Sequence, residues 1–472
     1  MTSDFLKELG GAFPEGTVLV GDAIGARYFT DIGGSEGERP LAVVRPSSTD
    51  DVSRLLRLCH DARVPVVPQG GMTGLVRGGM PAKNEVVLSM ERMAAIEEVD
   101  RQAGIVVAQA GTVLQALQER VEQDGYIFPL DLGGRGSCTI GGNISTNAGG
   151  NRVIRYGMMR DLVVGLEVVT ADGTVLRGLR KYLKNNTGLD LKQLFIGSEG
   201  TLGVVTRAAL RIFPAPADRP VALVGLASFD KVVRLLTIAR RRLSGDLTAF
   251  EVMWNIYYRL VVERVRGVSA PLPSSHAFYV LLEASGFDAA RVRQDLESLL
   301  EEALETEVVI DGTVADSLAA VQAIWHVRDS SVDLGRTFAT PSLGLDVSLP
   351  IDRMEAYTVS LERAVREIDA TAFAVVLGHL GDGNLHVSFH FTQPQAQKQI
   401  EETAYAITGQ FGGSISAEHG IGVLKRPYLK LSRTPEEIET MRTLKRALDP
   451  RNILSPGRII VVGQNEPAGQ EV

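Results

Sequence analysis

Read from the N-terminus, the apolar positions switch repeatedly between helical and strand spacing. Residues 51–62 (DVSRLLRLCHDA) place apolar side chains at helical intervals and predict a helix. Residues 64–67 (VPVV) predict a short strand stopped by Pro68. Further strands are predicted at 85–90 and 104–111, and an amphipathic helix at 112–123. Residues 162–178 (LVVGLEVVTADGTVLRG) read as a β-hairpin turning at Asp172-Gly173. A short helix runs into a loop over 191–203, and a strand over 204–214 ends at Pro214. Three prolines within 214–220 (PAPADRP) mark a linker. Beyond it, strands at 222–228, 276–285, 307–310, 343–350, 373–379, 385–391 and 413–417 alternate with helices at 229–243, 288–304, 315–334, 351–368 and 394–410, and a last helix covers 435–448. Alternating elements with strands in pairs predict an α+β fold, the second half built from two ferredoxin-like units.

Glycine changes the picture of the first half. The chain of 472 residues holds 49 glycines, about one in ten against a usual ~7%. Two stretches concentrate them: QGGMTGLVRGGM (69–80) and GGRGSCTIGGNISTNAGG (133–150). The second interleaves seven glycines with Ser137, Thr139, Asn143, Ser145, Thr146 and Asn147. Bare backbone beside short hydrogen-bonding side chains suits a cradle for the pyrophosphate and ring of a flavin or dinucleotide. It is not a G-x-G-x-x-G opening a helix after a strand, which disfavours a nicotinamide-type Rossmann site.

Histidine changes the picture of the second half. Four of seven histidines (His379, His386, His390, His419) fall within 379–419. In GHLGDGNLH (378–386) the GDGN core is a turn signal, and a hairpin there brings His379 and His386 together. SAEHGIG (416–422) supplies Glu418 and His419. Two imidazoles and a carboxylate form a three-ligand site with positions left open, the pattern of catalytic metal centres. Zinc is the default for such ligands, with manganese, cobalt or iron as alternatives. His60, His276 and His326 read as ordinary packed or exposed histidines, and His390 as a continuation of its strand.

PQGGMTGL, FPLDLGGRGSCTIGGNISTNAGGNRVIRYG and LFIGSEGTLGVVT closely resemble the FAD-binding domain of the vanillyl-alcohol-oxidase-like superfamily over 38–217. The resemblance assigns FAD contacts to Pro68, Gly70, Gly71, Met72, Thr73, Gly74 and Leu75 in the first loop. In the second region it assigns them to Pro129, Asp131, Leu132, Gly133, Ser137, Ile140, Gly141, Gly142, Ser145, Thr146, Asn147, Gly149, Gly150, Arg155 and Tyr156. Glu199, Gly200, Gly203 and Val204 match a later contact, and Asn452 in DPRNILSPG a C-terminal one. Neither glycine-rich region holds a histidine to tether the flavin, so the FAD is expected to be non-covalent. GHLGDGNLH and SAEHGIG resemble the signatures of FAD-dependent D-2-hydroxyacid dehydrogenases, the group of D-2-hydroxyglutarate and D-lactate dehydrogenases. That resemblance implies metal ligation by His379, His386 and Glu418, His419 as the base, and substrate contacts at Arg328, Asn384 and Ser388. The implied domains are an FAD-binding domain over 1–217, an α+β substrate and metal domain over 218–433, and a helical segment over 434–472 that packs back on the first domain.

Two positions depart from the D-2-hydroxyglutarate dehydrogenase pattern. Gly344 stands where that group has a lysine, and Ser388 where it has an asparagine. Arg336 and Lys425 are the basic residues that would substitute. The substrate expected is D-2-hydroxyglutarate, D-lactate or a similar D-2-hydroxy acid, with electrons passing to an electron-transfer flavoprotein or quinone rather than NAD. The alternatives are a non-redox transferase of the alkylglycerone-phosphate-synthase type, or a flavin- or metal-binding module without turnover. A formal charge of −8 and a pI near 5.6 argue against a nucleic-acid partner. Two cysteines make no disulfide framework, no run approaches ~18 apolar residues, and MTSDFLKELGG lacks the make-up of a secretory signal. The expectation is a cytoplasmic protein without a membrane span, compatible with a homodimer.

Overall fold

The computed structural model describes residues 2–462. The chain divides into two compact units. Of the described residues, the first comprises 2–149, 158–214 and 418–462, and the second 150–157 and 215–417. The division departs from the boundaries expected from the sequence: 150–157 joins the second unit, and the return segment begins at Glu418, before the last helix.

In the first unit the strands are Val18–Leu19 (β1), Ala42–Val44 (β2), Val66–Gln69 (β3), Val86–Ser89 (β4), Ile96–Asp100 (β5), Ile105–Gln109 (β6), Tyr126–Ile127 (β7), Val163–Val169 (β8), Val175–Gly178 (β9), Val204–Arg211 (β10) and Phe213–Pro214 (β11). They form a four-stranded sheet ordered β1-β2-β4-β3, a five-stranded sheet ordered β5-β6-β10-β8-β9, and the pair β11-β7. The predicted hairpin is the antiparallel pair β8–β9. The helix Thr49–Ala62 follows its prediction because Ser48 caps it, accepting the Asp51 N–H at 3.1 Å, and Arg63 stops it in the left-handed region. The C-terminal segment returns to β3: Val66 donates to the Ile453 carbonyl at 2.7 Å and accepts from Ser455 at 2.8 Å. Lys445 locks that return, its buried ammonium donating to the carbonyls of Thr201 (2.8 Å) and Leu454 (2.6 Å) and to Asp449 (2.5 Å).

In the second unit the strands are Val221–Leu226 (β12), Leu247–Trp254 (β13), Phe278–Ala284 (β14), Asp311–Val314 (β15), Ser342–Ser348 (β16), Phe373–His379 (β17) and Asn384–His390 (β18). They make one antiparallel sheet ordered β15-β12-β14-β13-β17-β18-β16. Its first four strands, numbered by their order in the chain, lie 4-1-3-2, with the helices Phe229–Leu243 and Ala289–Glu305 after strands one and three. The remaining three repeat that arrangement as 2-3-1. The expected strand at 413–417 survives only as the Ser348–Ser414 bridge beside β16, at the place of a fourth strand. Two ferredoxin-like repeats thus share a single sheet and meet edge to edge at β13 and β17.

Two local expectations shift for physical reasons. Residues 307–310 are not a strand: Glu307 takes φ 54° as the preceding helix ends, and β15 starts at Asp311. The helix expected over 315–334 breaks at Ser330 into Leu318–Asp329 and Ser331–Arg336.

His390 is buried between Phe338 and Phe373, with ring centroids 3.9 and 5.3 Å away. Burial, helped by nearby Arg264, lowers its pKa from the ordinary 6.5. The unfolded chain therefore binds this proton more readily than the folded one, and the stability His390 confers is full above pH 6.5 and lost as pH falls through the lowered value. The expected result is a loss of stability on acidification that His390→Phe reduces, read from urea unfolding midpoints across pH. An acid limb identical in both proteins would place its origin elsewhere.

Candidate active site

Strand register assembles the second unit's share of the site. Glu251 on β13 lies opposite His379 on β17, and Asp346 on β16 lies opposite His386 on β18. Leu377, two residues before His379, lies opposite His386. Side chains alternate with period two along a strand, so all four project from one face. Carboxylate, histidine, histidine and carboxylate thus form a row across β13, β17, β18 and β16. The imidazoles meet edge to face with centroids 5.2 Å apart.

Both carboxylates are buried, Glu251 at 1% exposure and Asp346 at 0%. A buried carboxylate needs partners. Glu251 Oε1 accepts from His379 Nδ1 at 2.8 Å, and Oε2 accepts from Arg328 Nε at 2.8 Å. Burial pushes the Glu251 pKa up, but the Arg328 guanidinium and His379 outweigh it and hold the carboxyl below its ordinary value. Asp346 Oδ1 accepts from Asn384 Nδ2 at 3.2 Å, and Oδ2 accepts the Ala417 N–H at 3.1 Å. That last bond fixes the backbone one residue before Glu418. Glu418 follows directly along the chain. His379, His386 and Glu418 each offer one ligand atom, all within 4.8 Å of one another.

Neither buried carboxylate figured among the sequence-predicted site residues. The usable signal was a single acid within an otherwise apolar run, LTAFEVMW for Glu251 and LGLDVS for Asp346. Arg328, expected as a substrate contact, lies near His379, its Nη2 3.1 and 3.2 Å from the two ring nitrogens, and it already serves Glu251 and Asp329. Asn384 is buried with its carbonyl oxygen unpartnered among the described residues. Gly344 and Ser388 sit opposite each other on β16 and β18, and a Cβ at Gly344 meets nothing within 4 Å. Of the two basic residues considered as substitutes, Arg336 is exposed and paired with Asp333 at 2.9 Å, and Lys425 is a buried residue of the first unit.

In the first unit the two glycine-rich loops pack on each other. A Cβ on Gly70 would lie 2.2 Å from Thr139 Oγ1, and one on Gly71 would lie 1.9 Å from the Ser137 carbonyl. A Cβ on Gly141 would meet Ala110 at 2.6 Å, and one on Gly203 would meet Val168 at 2.7 Å. At each of these glycines a Cβ would collide with its neighbours, so close packing requires glycine there whatever cofactor contact the backbone makes. Gly74 and Gly133 differ, with nothing within 4 Å of either Cβ. Thr139 caps the helix Ile140–Thr146, which bears Gly142, Ser145 and Thr146 and ends at Asn147 in the left-handed region. Met72, Arg77, Asn147, Glu199, Asn452 and Ser455 all hold positive φ. Such strain in non-glycine residues collects at functional sites.

The buried Gln69 Oε1 and Ser455 Oγ have no hydrogen-bond partner among the described residues, and Ser455 Oγ is 3.6 Å from a Cβ on Gly200. Unsatisfied polar atoms among Pro68, Gly70–Leu75 and Gly200, with open space at Gly74 and Gly133, fit a polar cofactor such as FAD. The sequence patterns did not reveal Ser455. Pro129, Asp131 and Leu132 lead into the second glycine-rich loop, and Asp131 accepts from Arg135 at 3.1 Å. Val204 is buried at the start of β10, and Asn452 donates to the Val462 carbonyl at 3.4 Å. Gly149 ends the first stretch of the first unit, whereas Gly150, Arg155 and Tyr156 fall in the second. There Arg155 donates to the Ser285 carbonyl and hydroxyl, both at 2.6 Å, so its guanidinium has partners inside that unit.

Glu199 braces the loop that carries His419. Its carboxylate accepts the N–H groups of Ile421 at 2.7 Å and Gly422 at 2.8 Å, while its own N–H donates to the Ser145 carbonyl at 2.8 Å. Burial raises the Glu199 pKa; the two N–H groups and Lys425 oppose that rise.

A family model described as FAD linked oxidases, C-terminal domain, matches residues 215–459, and an FAD binding domain model matches 40–178. The chain is 41% identical over 421 residues to the mitochondrial D-2-hydroxyglutarate dehydrogenase of Bos taurus, covering 89% of this chain and 76% of that one. It is 37% identical over 434 residues to a putative mitochondrial D-lactate dehydrogenase of Schizosaccharomyces pombe, covering 90% and 82%. The structure of p-cresol methylhydroxylase with substrate bound superposes with a TM-score of 0.78 at 15% identity, covering 98% of each chain, a likeness of fold. The expected cytoplasmic location does not stand, because these relatives are named as mitochondrial proteins. Among the described residues no helix is long and apolar enough to cross a membrane. With both halves matched and these relatives aligned over most of its length, the chain belongs to the FAD-dependent D-2-hydroxyacid dehydrogenases, with a vanillyl-alcohol-oxidase-type α+β fold.

Proposed function

We propose that this chain oxidises a D-2-hydroxy acid to the 2-oxo acid at a divalent metal centre held by His379, His386 and Glu418, with non-covalent FAD as the first electron acceptor. The observation that carries the metal is the convergence of two imidazoles and a carboxylate within 4.8 Å. Three protein ligands leave positions for the substrate's hydroxyl and carboxylate oxygens. Zinc suits the nitrogen and oxygen donors.

A bound divalent metal supplies Lewis acidity that lowers the pKa of a chelated hydroxyl. FAD supplies the acceptor for the hydride that leaves the substrate carbon. The protein does the rest. His419 takes the hydroxyl proton on a neutral ring nitrogen. Arg328 holds the acid's carboxylate through the N–H groups that Glu251 does not use. The free Asn384 carbonyl accepts a donor from the bound substrate, and Ser388 lies beside the acid's side chain. Electrons pass onward to an electron-transfer flavoprotein or quinone.

The test is anaerobic titration of the purified flavoprotein with D- and L-forms of lactate, 2-hydroxyglutarate and related acids. The D-acids bleach the flavin and the L-acids do not; the order of bleaching rates identifies the side chain fitted by the Gly344–Ser388 pair. A flavin that no D-2-hydroxy acid reduces would refute the reading.

A further inference from the structure

Glu251 does two things at once. One carboxylate oxygen holds His379 Nδ1 and the other holds Arg328 Nε, each at 2.8 Å. An ionised carboxylate only accepts, so Nδ1 must carry the ring proton and Nε2 must carry the lone pair. Arg328 meanwhile points Nη2 at that same Nε2 from 3.1 Å. A buried guanidinium there opposes a second cation unless its charge is neutralised, and Glu251 neutralises it. The register builds this in, because β13 and β17 are the seam between the two repeats and Glu251 is the cross-strand partner of His379.

We infer that Glu251 is a positioning residue for the metal centre: it fixes the His379 tautomer that presents Nε2 as the ligand and screens the Arg328 charge from the metal. The inference rests on the metal reading proposed above. Carboxylates behind histidine ligands orient the ring, and their loss typically weakens metal binding about 10–100-fold. Glutamine at this position retains one acceptor but no charge. It leaves Arg328 with only the more exposed Asp329 as a carboxylate partner and frees the ring to take the other tautomer.

The test measures Zn2+ affinity of the FAD-loaded full chain by competition with a chelator of known affinity. Glu251→Gln is expected to bind zinc about 10–100-fold more weakly while keeping its FAD and a cooperative melt. Zinc affinity equal to that of the parent would overturn the inference. Should Glu251→Gln fail to fold, the double variant with Arg328→Met removes the stranded charge and is compared with Arg328→Met alone. Weaker zinc binding in the double variant supports the inference, and equal binding overturns it. His386→Ala separates the two levels of the argument. If the parent and His386→Ala bind zinc alike, the metal reading itself fails; if His386→Ala loses zinc and Glu251→Gln does not, only the role of Glu251 fails.

Discussion

Replacing His419 by glutamine is expected to slow reduction of the flavin by the D-2-hydroxy acid about 10²–10⁴-fold, the usual worth of a positioned general base. The purified variant should stay yellow, because Glu199 holds the loop through the backbone N–H groups of Ile421 and Gly422, not through the imidazole. That separation makes the experiment clean. Glu418 is the neighbouring residue and offers a carboxylate oxygen to the His379–His386 cluster, so in the proposed function the two side chains would divide ligand and base between them. Glutamine keeps the size and a hydrogen-bonding end but has no lone pair basic enough to take the hydroxyl proton. Anaerobic stopped-flow reduction, followed by the flavin's visible absorbance, gives the rate, and zinc content reports whether Glu418 still ligates. A parent-like rate would assign the proton to another group. Loss of zinc together with rate would make His419 a structural support of Glu418.

The sequence disclosed the elements that have one wet face. Phe229–Leu243 and Pro435–Leu448 coincide with the ranges predicted, because amphipathic spacing, a Ser228 cap and the Thr434–Glu437 capping box mark them locally. The strand Leu247–Trp254 escaped because nearly every residue in it is buried, so no alternation appears, and the helix Asn255–Arg264 behind it escaped too. Glu251 was lost with that strand. The convergence of His379, His386 and Glu418 was legible because they lie in two short motifs, whereas the row of carboxylates behind it depends on which strands become neighbours. Glu251 and His379 stand 128 positions apart in the sequence; only the edge-to-edge joining of the two repeats makes them partners. The glycine-rich loops were legible as a cofactor cradle, but which glycines pack on backbone and which face open space depends on how the loops meet.

That distinction sets up the other large effect. Gly71→Ala is expected to damage the protein whether or not FAD is present. Its Cβ would lie 1.9 Å from the Ser137 carbonyl oxygen, 2.7 Å from the carbonyl carbon and 3.0 Å from Cys138 Cα. These are backbone atoms, held by the Ser137 and Cys138 N–H bonds to the Gly134 carbonyl at 2.9 and 2.8 Å, so no side chain can swing aside. Overpacking of this kind costs about 1–3 kcal/mol or more. The two loops must separate, and FAD occupancy should fall with them. Gly74→Ala is the counterpart. Nothing lies within 4 Å of its Cβ, and its φ lies outside the left-handed range, so the unliganded protein should melt as the parent does, within about 0.5 kcal/mol. If FAD fills that space, the added methyl meets only the cofactor, and affinity should drop roughly 5–150-fold, the same 1–3 kcal/mol expressed as binding. Melting curves with and without FAD, together with FAD titrations, separate the two cases. Parent-like FAD binding by Gly74→Ala would remove Gly74 from the cofactor site. Parent-like melting of Gly71→Ala would mean that the loops do not meet as closely as the structure has them. The paired outcome, apo destabilisation from one glycine and pure loss of FAD affinity from the other, requires a loop that packs on one side and binds on the other.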